Sequence, residues 1–153
     1  MTKEAVEILL VEDNENDVEL TLHALRTENL SNKIHVTRDG EEALEFLHNL
    51  DPGRNGAVPP PKVILLDLKL PKVSGLEVLR AVKSDAFLRL IPVVVLTSSK
   101  EEQDLVTSYQ LGVNSYLQKP VDFDSFREMV KELGLYWLVV NQTAPARVQE
   151  KAA

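Results

Sequence analysis

The stretch Val63–Gly75, VILLDLKLPKVSG, decides how the rest of the chain is read. Val63–Leu66 are four consecutive apolar residues with no polar alternation, the pattern of a strand buried on both faces of a parallel sheet. The run stops at one carboxylate, Asp67. A loop with Pro71 follows, and apolar positions then resume at helical spacing with Leu76, Leu79 and Val82, which predicts a helix over Gly75–Asp85.

Outward from this unit the same alternation repeats. Further strands are predicted at Val6–Val11 (VEILLV), Ile34–Thr37 (IHVT), Ile91–Leu96 (IPVVVL) and Ser115–Leu117 (SYL). Pro92 stands at the start of its strand, where a missing N–H is tolerated. Helices are predicted over Asn16–Thr27 (Val18, Leu22 and Leu25 inward), Glu41–Leu50 (Ala43, Leu44, Leu47 and Leu50) and Glu101–Leu111 (Leu105, Tyr109 and Leu111), the last capped by Gly112. A long final helix is expected from an Asp122 N-cap to about Val140. Strands alternating with helices predict an α/β fold, an open, doubly wound five-stranded parallel sheet covered on both faces. Asp51–Pro61 reads as a Pro- and Gly-rich loop, residues 6–140 as one domain, and 141–153 as a polar tail expected to be disordered.

Composition excludes several functions. The net charge is −7, with no Lys/Arg cluster, which disfavours a nucleic-acid surface. No cysteine is present, so there is neither a disulfide framework nor a thiolate metal site. The polar start MTKEAVE is not a signal peptide, and no apolar run nears the ~20 residues of a membrane span. A cytoplasmic protein is expected. His23, His35 and His48 are scattered and read as surface residues without metal-ligand spacing.

In an open α/β sheet, ligands bind beyond the carboxyl ends of the strands. Glu12 and Asp13 follow the first predicted strand, Asp67 the third, Thr97 the fourth, and Lys119 the fifth. Three carboxylates, a hydroxyl and an ammonium are therefore expected at one edge. Clustered carboxylates repel, and a hard divalent cation relieves the repulsion. Mg²⁺ favours one or two carboxylates with phosphate oxygens and water. Asp67 is a candidate nucleophile that forms an acyl phosphate, with Lys119 neutralising charge and Thr97 donating to phosphoryl oxygens.

ILLVEDN (Ile8–Asn14), LLDLKLPKVSG (Leu65–Gly75), PVVVLTSS (Pro92–Ser99) and YLQKP (Tyr116–Pro120) together resemble the receiver domains of two-component response regulators, over roughly Glu7–Leu133. The resemblance implies a flavodoxin-like (βα)5 fold with strand order 2-1-3-4-5. It implies that Asp67 is phosphorylated by a histidine kinase, and that Asp13, Glu12 (through water), Asp67 and the Lys69 backbone carbonyl hold Mg²⁺. It makes Thr97 and Tyr116 a switch pair, Lys119 the phosphate-binding lysine, and the Lys119–Pro120 bond cis. The Pro-rich loop, PVVVLT and the apolar LYWL at Leu135–Leu138 are similar to small stand-alone regulators that partner bacterial phytochromes.

Two rivals stand beside this reading. A haloacid-dehalogenase-type phosphatase needs an acid two residues after its aspartate, where this chain has Lys69. A phosphorylation-independent interaction module needs only the fold. With the domain ending near Leu133, output is expected through protein contacts: a downstream partner, a phosphorelay or a homodimer. The dimer is expected through the last helix around Tyr136, Trp137 and Leu138: Phe126, Val130, Leu133 and Trp137 form its inward stripe, and Leu135, Tyr136, Leu138, Val139 and Val140 add apolar surface on other faces. The alternative is that Leu135–Val140 folds back over its own domain.

Overall fold

The computed structural model describes residues 6–28, 33–50 and 59–144. Most of the predicted Pro-rich loop, and the tail from residue 145 onward, lie outside the described residues. The strands are β1 (Ile8–Val11), β2 (Ile34–Thr37), β3 (Val63–Leu66), β4 (Val93–Thr97) and β5 (Ser115–Gln118). The helices are α1 (Glu15–Thr27), α2 (Gly40–His48), α3 (Gly75–Ser84), α4 (Glu102–Leu111) and α5 (Phe123–Leu135). A 3₁₀ turn covers Leu88–Leu90, and a π-helical turn, Tyr136–Val140, follows α5.

The five strands pair in parallel in the order 2-1-3-4-5, as expected. Every residue of β1, β3 and β4 is buried, which explains their unbroken apolar sequence. Because β1 and β3 pair Val11 with Leu66, both strands end at the same level, and the residues that follow each emerge side by side. Side chains alternate across the sheet. Leu9, Val11, Ile64, Leu66, Val93 and Val95 meet α2 and α3 on one face. Ile8, Leu10, Val63, Leu65, Val94 and Leu96 meet α1 and α5 on the other.

The helix starts are locally encoded. Asn14, Asp39, Ser74 and Asp122 each accept a backbone N–H of the first turn of α1, α2, α3 and α5. Gly112 closes α4 with φ 98°, the left-handed conformation that suits glycine. Lys83, whose pKa is lowered by burial, pins the edge of β4. Its Nζ donates to the carbonyls of Arg89 (3.3 Å) and Ile91 (3.4 Å) and to Asn114 Oδ1 (3.0 Å), which also accepts from Val93 N.

Several expectations are corrected. In α4 the inward residue is Ser108, while Leu105 and Tyr109 are 39% and 55% exposed. Leu111, at the end of the helix, packs against the core as expected, while the middle of the helix turns the small Ser108 inward and the larger Leu105 and Tyr109 outward. Trp137 and Leu138 do not form an outer surface: both are buried in the α1/α5 layer. Trp137 continues the inward stripe of Phe126, Val130 and Leu133, Leu138 turns in beside it within the π-helical segment, and Lys62 Nζ donates to the Leu138 carbonyl (3.3 Å). The fold-back alternative therefore holds for these two residues. Leu135, Tyr136, Val139 and Val140 remain exposed. His35 is half-buried and stacks on Phe46 with ring centroids 4.3 Å apart, so it is not a surface residue. Among the described residues there is no cis peptide bond, so Lys119–Pro120 is trans. The trans form is the intrinsically favoured one, and Lys119 reaches its acidic partners with it.

Candidate functional site

Parallel pairing brings the ends of β1, β3, β4 and β5 together, and the polar groups predicted there meet. Carboxylate oxygens of Glu12, Asp13 and Asp67 lie within 4.8 Å of one another. Glu12 and Asp67 are buried, and Asp13 is exposed at the mouth of an open cleft of ≈ 550 Å³. Asn14, Asp17, Lys69 and Lys119 line the same cleft.

Asp67 is held from two sides. Its Oδ1 accepts from Thr97 Oγ1 (2.8 Å) and from Lys69 N (3.2 Å), and its Oδ2 accepts from Lys119 Nζ (3.0 Å). Its position is set by the backbone as well: Asp67 N donates to the Val11 carbonyl (3.0 Å), and Gly75 N donates to the Leu68 carbonyl (2.9 Å). Gly75 is required by proximity. A Cβ there would stand 2.2 Å from the Asp67 carbonyl oxygen and 2.4 Å from Leu68 Cα. The loop passes Lys72 with φ 65°, a left-handed conformation uncommon outside glycine.

Lys119 is the hub of the site. Its side chain is only 9% exposed, and its ammonium donates to Glu12 Oε1 (2.5 Å), Asp17 Oδ2 (2.8 Å) and Asp67 Oδ2 (3.0 Å). The β5 end is anchored by Lys119 N donating to the Thr97 carbonyl (2.7 Å).

The charges divide unevenly. Burial, then the nearby Asp67 charge, raises Glu12 from 4.5 to about 7 in spite of its bonds to Lys119 and Asn14. Burial also works against ionisation of Asp67, but the Lys119 charge and hydrogen bond and the Thr97 hydrogen bond outweigh it, so its pKa is lowered. Burial would lower Lys119, yet the hydrogen bonds to Asp17 and Glu12 and the Asp67 charge raise it well above its ordinary value. The carboxyl of Asp67 is therefore buried and favours its ionised form beside the Lys119 ammonium.

The donor set suits a hard divalent cation: two buried carboxylates and one exposed carboxylate, with Glu12 prone to keep a proton when no second cation is near. Asp13, Asp67 and Glu12 are the residues that would hold Mg²⁺, which would add positive charge beside developing phosphoryl oxygens.

Thr97 and Tyr116, the expected switch pair, both face inward. Thr97 is fully buried. The Tyr116 ring packs on the α2/α3 layer, and its hydroxyl is buried without a hydrogen-bond partner. Burial raises its pKa, and its polar neighbour Ser99 has its own hydroxyl committed to Asp104 (2.5 Å). Sequence reasoning missed Asp17. Three residues after the Asn14 cap, it has the spacing of a helix-start acid, and no local signal links it to a lysine at the far end of the chain.

A parallel 2-1-3-4-5 sheet with an acidic pair, an aspartate, a threonine and a lysine at its carboxyl edge is the arrangement of a receiver domain. Residues 8–131 match the response regulator receiver domain, and the chain belongs to that family. Among relatives, it is 43% identical over 89% of its length to the probable methanogenesis regulatory protein FilR2 of Methanothrix harundinacea, covering 86% of that protein. It is 42% identical over 86% of its length to the response regulator Rcp1 of Synechocystis, covering 88% of it. The Mn²⁺-bound form of Rcp1 superposes with a TM-score of 0.82, covering 92% of this chain and 99% of that one, at 38% identity. The phosphorylated cyanobacterial phytochrome response regulator RcpA superposes with a TM-score of 0.81 at 38% identity, covering 93% of this chain and all (100%) of that one. The bacteriophytochrome response regulator AtBRR is 54% identical, with a TM-score of 0.67 and coverage of 92% and 100%. No helix among the described residues is long and apolar enough to cross a membrane.

Proposed function

We propose that this chain is a cytoplasmic single-domain response regulator whose Asp67 takes a phosphoryl group from a histidine kinase in a Mg²⁺-dependent reaction. The observation that carries the reading is the Asp67 carboxylate itself: buried, ionised, and bonded to Thr97 and Lys119 next to Glu12 and Asp13. An Asp67 oxygen attacks the phosphorus of phosphohistidine, the P–N bond breaks, and the imidazole leaves with its electron pair. The result is an acyl phosphate. The chain's own groups do the catalytic work of positioning and neutralising charge, which phosphoryl transfer chiefly requires. Lys119 follows the negative charge from the carboxylate to the phosphoryl oxygens, and the Thr97 hydroxyl, which donates to the free carboxylate, passes to a phosphoryl oxygen. Slow hydrolysis at the same site resets the switch. The metal set comprises Glu12, Asp13, Asp67 and the Lys69 backbone carbonyl.

The similarity to RcpA and AtBRR, both described as phytochrome response regulators, supports a phytochrome-type kinase as the donor. FilR2, at identity comparable to that of Rcp1, is a probable methanogenesis regulatory protein, so transfer from a panel of purified kinases with and without light is the discriminating assay. Output runs through protein contacts, to a downstream phosphorelay protein or within a homodimer. The dimer surface is redrawn from the sequence expectation: Leu135, Tyr136, Val139 and Val140 form it, and the buried Trp137 and Leu138 only support it.

Incubation with a small phosphodonor and Mg²⁺ tests the central reading. Intact mass should show one added phosphoryl group, labile as an acyl phosphate is, and none in Asp67→Asn. Full labelling of that variant would remove the assignment. Fast turnover without accumulation would favour the phosphatase reading, and no reaction at all the phosphorylation-independent module.

A further inference from the structure

An ammonium has three N–H donors, and Lys119 directs them at three carboxylates. Two of these change role when the site works. Asp67 becomes an acyl phosphate, and Glu12 belongs to the carboxylate trio that suits a divalent cation. The third, Asp17, lies outside that trio on α1 and has no other part in the chemistry. It is also held still. Asp17 N donates to the Asn14 side chain (3.0 Å), and the Asp17 carbonyl accepts from Thr21 Oγ1 (2.7 Å), a residue only 2% exposed. An acid at this helix position ordinarily reaches back to the N–H of the cap residue. Here the Asn14 N–H is taken by Glu12 Oε2 (3.1 Å), which leaves the Asp17 carboxylate for Lys119.

We propose that Asp17 is a positioning residue for the phosphoryl transfer: it anchors the Lys119 ammonium over Asp67 from outside the reacting and metal-binding groups, in both the free and the phosphorylated state. The inference rests on the phospho-acceptor reading of Asp67. Lysine is a compact charge on a flexible four-carbon stem, so a fixed acceptor oxygen is what converts it into an oriented one. When an Asp67 oxygen is esterified, the Lys119 donor it held passes to a phosphoryl oxygen, and Asp17 keeps the ammonium from following the phosphoryl group toward solvent. The link also ties the start of α1 to the β5–α5 connection, two segments 102 positions apart in the chain.

The test is a double-mutant cycle on the full chain, read as the rate of phosphorylation by a small phosphodonor at saturating Mg²⁺, with thermal midpoints measured in parallel. Asp17→Ala is expected to slow the reaction about five- to tenfold, the scale of one misplaced charged hydrogen bond. In a Lys119→Ala background the same change is expected to alter the rate by less than about twofold, because two residues acting as one unit are not additive. Asp17→Asn keeps an acceptor oxygen and is expected to recover most of the rate at a similar thermal midpoint, a rescue readable even where Lys119→Ala reacts too slowly to measure. A merely structural Asp17 would lower the midpoint without changing the rate. An Asp17→Ala rate equal to wild type, equal slowing in both backgrounds, or no difference between Asn and Ala would each overturn the proposal while leaving Asp67 as the acceptor. A wild-type chain that takes no phosphoryl group would overturn both.

Discussion

Metal affinity should depend on pH through Glu12. Burial and the Asp67 charge raise this carboxyl to about 7, so without a metal a large part of the population holds a proton there at neutral pH. A divalent cation among Glu12, Asp13 and Asp67 has to displace that proton, because carboxylate ligands bind in the deprotonated form. With the carboxyl at about 7, about one-tenth of molecules are ionised at Glu12 at pH 6 and about nine-tenths at pH 8. Apparent Mg²⁺ affinity should therefore rise about tenfold from pH 6 to pH 8, with close to one proton released per ion on the acid side. Titration calorimetry in buffers of different ionisation enthalpy measures both quantities. Glu12→Gln removes the titrating group, so the pH dependence should flatten across this window. An affinity independent of pH between 6 and 8, or an unchanged slope in Glu12→Gln, would refute the reasoning. The sign for stability runs the other way. A carboxyl raised on folding stabilises the metal-free protein fully below its unfolded value of 4.5, and this contribution is lost as pH rises through about 7. Chemical denaturation in chelator should find that part of the stability declining over that range, and saturating Mg²⁺ should reverse the decline.

Three further perturbations follow from the geometry. Gly75→Ala places a methyl 2.2 Å from the Asp67 carbonyl oxygen, so it should cost about 2–3 kcal/mol in denaturant titration and slow phosphorylation by displacing Asp67. Trp137→Ala should lower stability by about 3 kcal/mol rather than simply yield a folded monomer, because the indole fills the α1/α5 layer; Tyr136→Asp, on an exposed side chain, should keep stability and, in light scattering after size exclusion, shift any dimer to monomer. Thr97→Ala should still accept a phosphoryl group at Asp67 but lose the change in amide exchange over α4 expected when the wild type is phosphorylated, since the 2.8 Å bond from Thr97 to Asp67 is the link between them. A wild-type exchange response in that variant would contradict the switch assignment.

The sequence by itself determined the sheet and most of the site. Unbroken apolar runs at Ile8–Val11, Val63–Leu66 and Val93–Leu96 permit only strands buried on both faces, and such strands in alternation with helices form a parallel sheet. Parallel strands carry their carboxyl ends to one edge, so Glu12, Asp13, Asp67, Thr97 and Lys119 were legible from the residues that follow each run. What stayed hidden depended on contacts made across space. Apolar spacing marks the candidate faces of a helix but not the surface opposite, so it could not show that α4 rests on Ser108 with Leu105 and Tyr109 outward. Inward Trp137 was legible from its spacing to Phe126, Val130 and Leu133, but burial of Leu138 beside it, in the π-helical segment, was not. The direction of the Asp17 carboxylate was decided only in the folded molecule. Locally it is a helix-start acid, and it becomes an anchor for Lys119 because Glu12 already occupies the Asn14 N–H and the sheet brings the end of β5 beside α1. Hydrogen bonds between residues 102 positions apart are made by topology, and no local pattern encodes them.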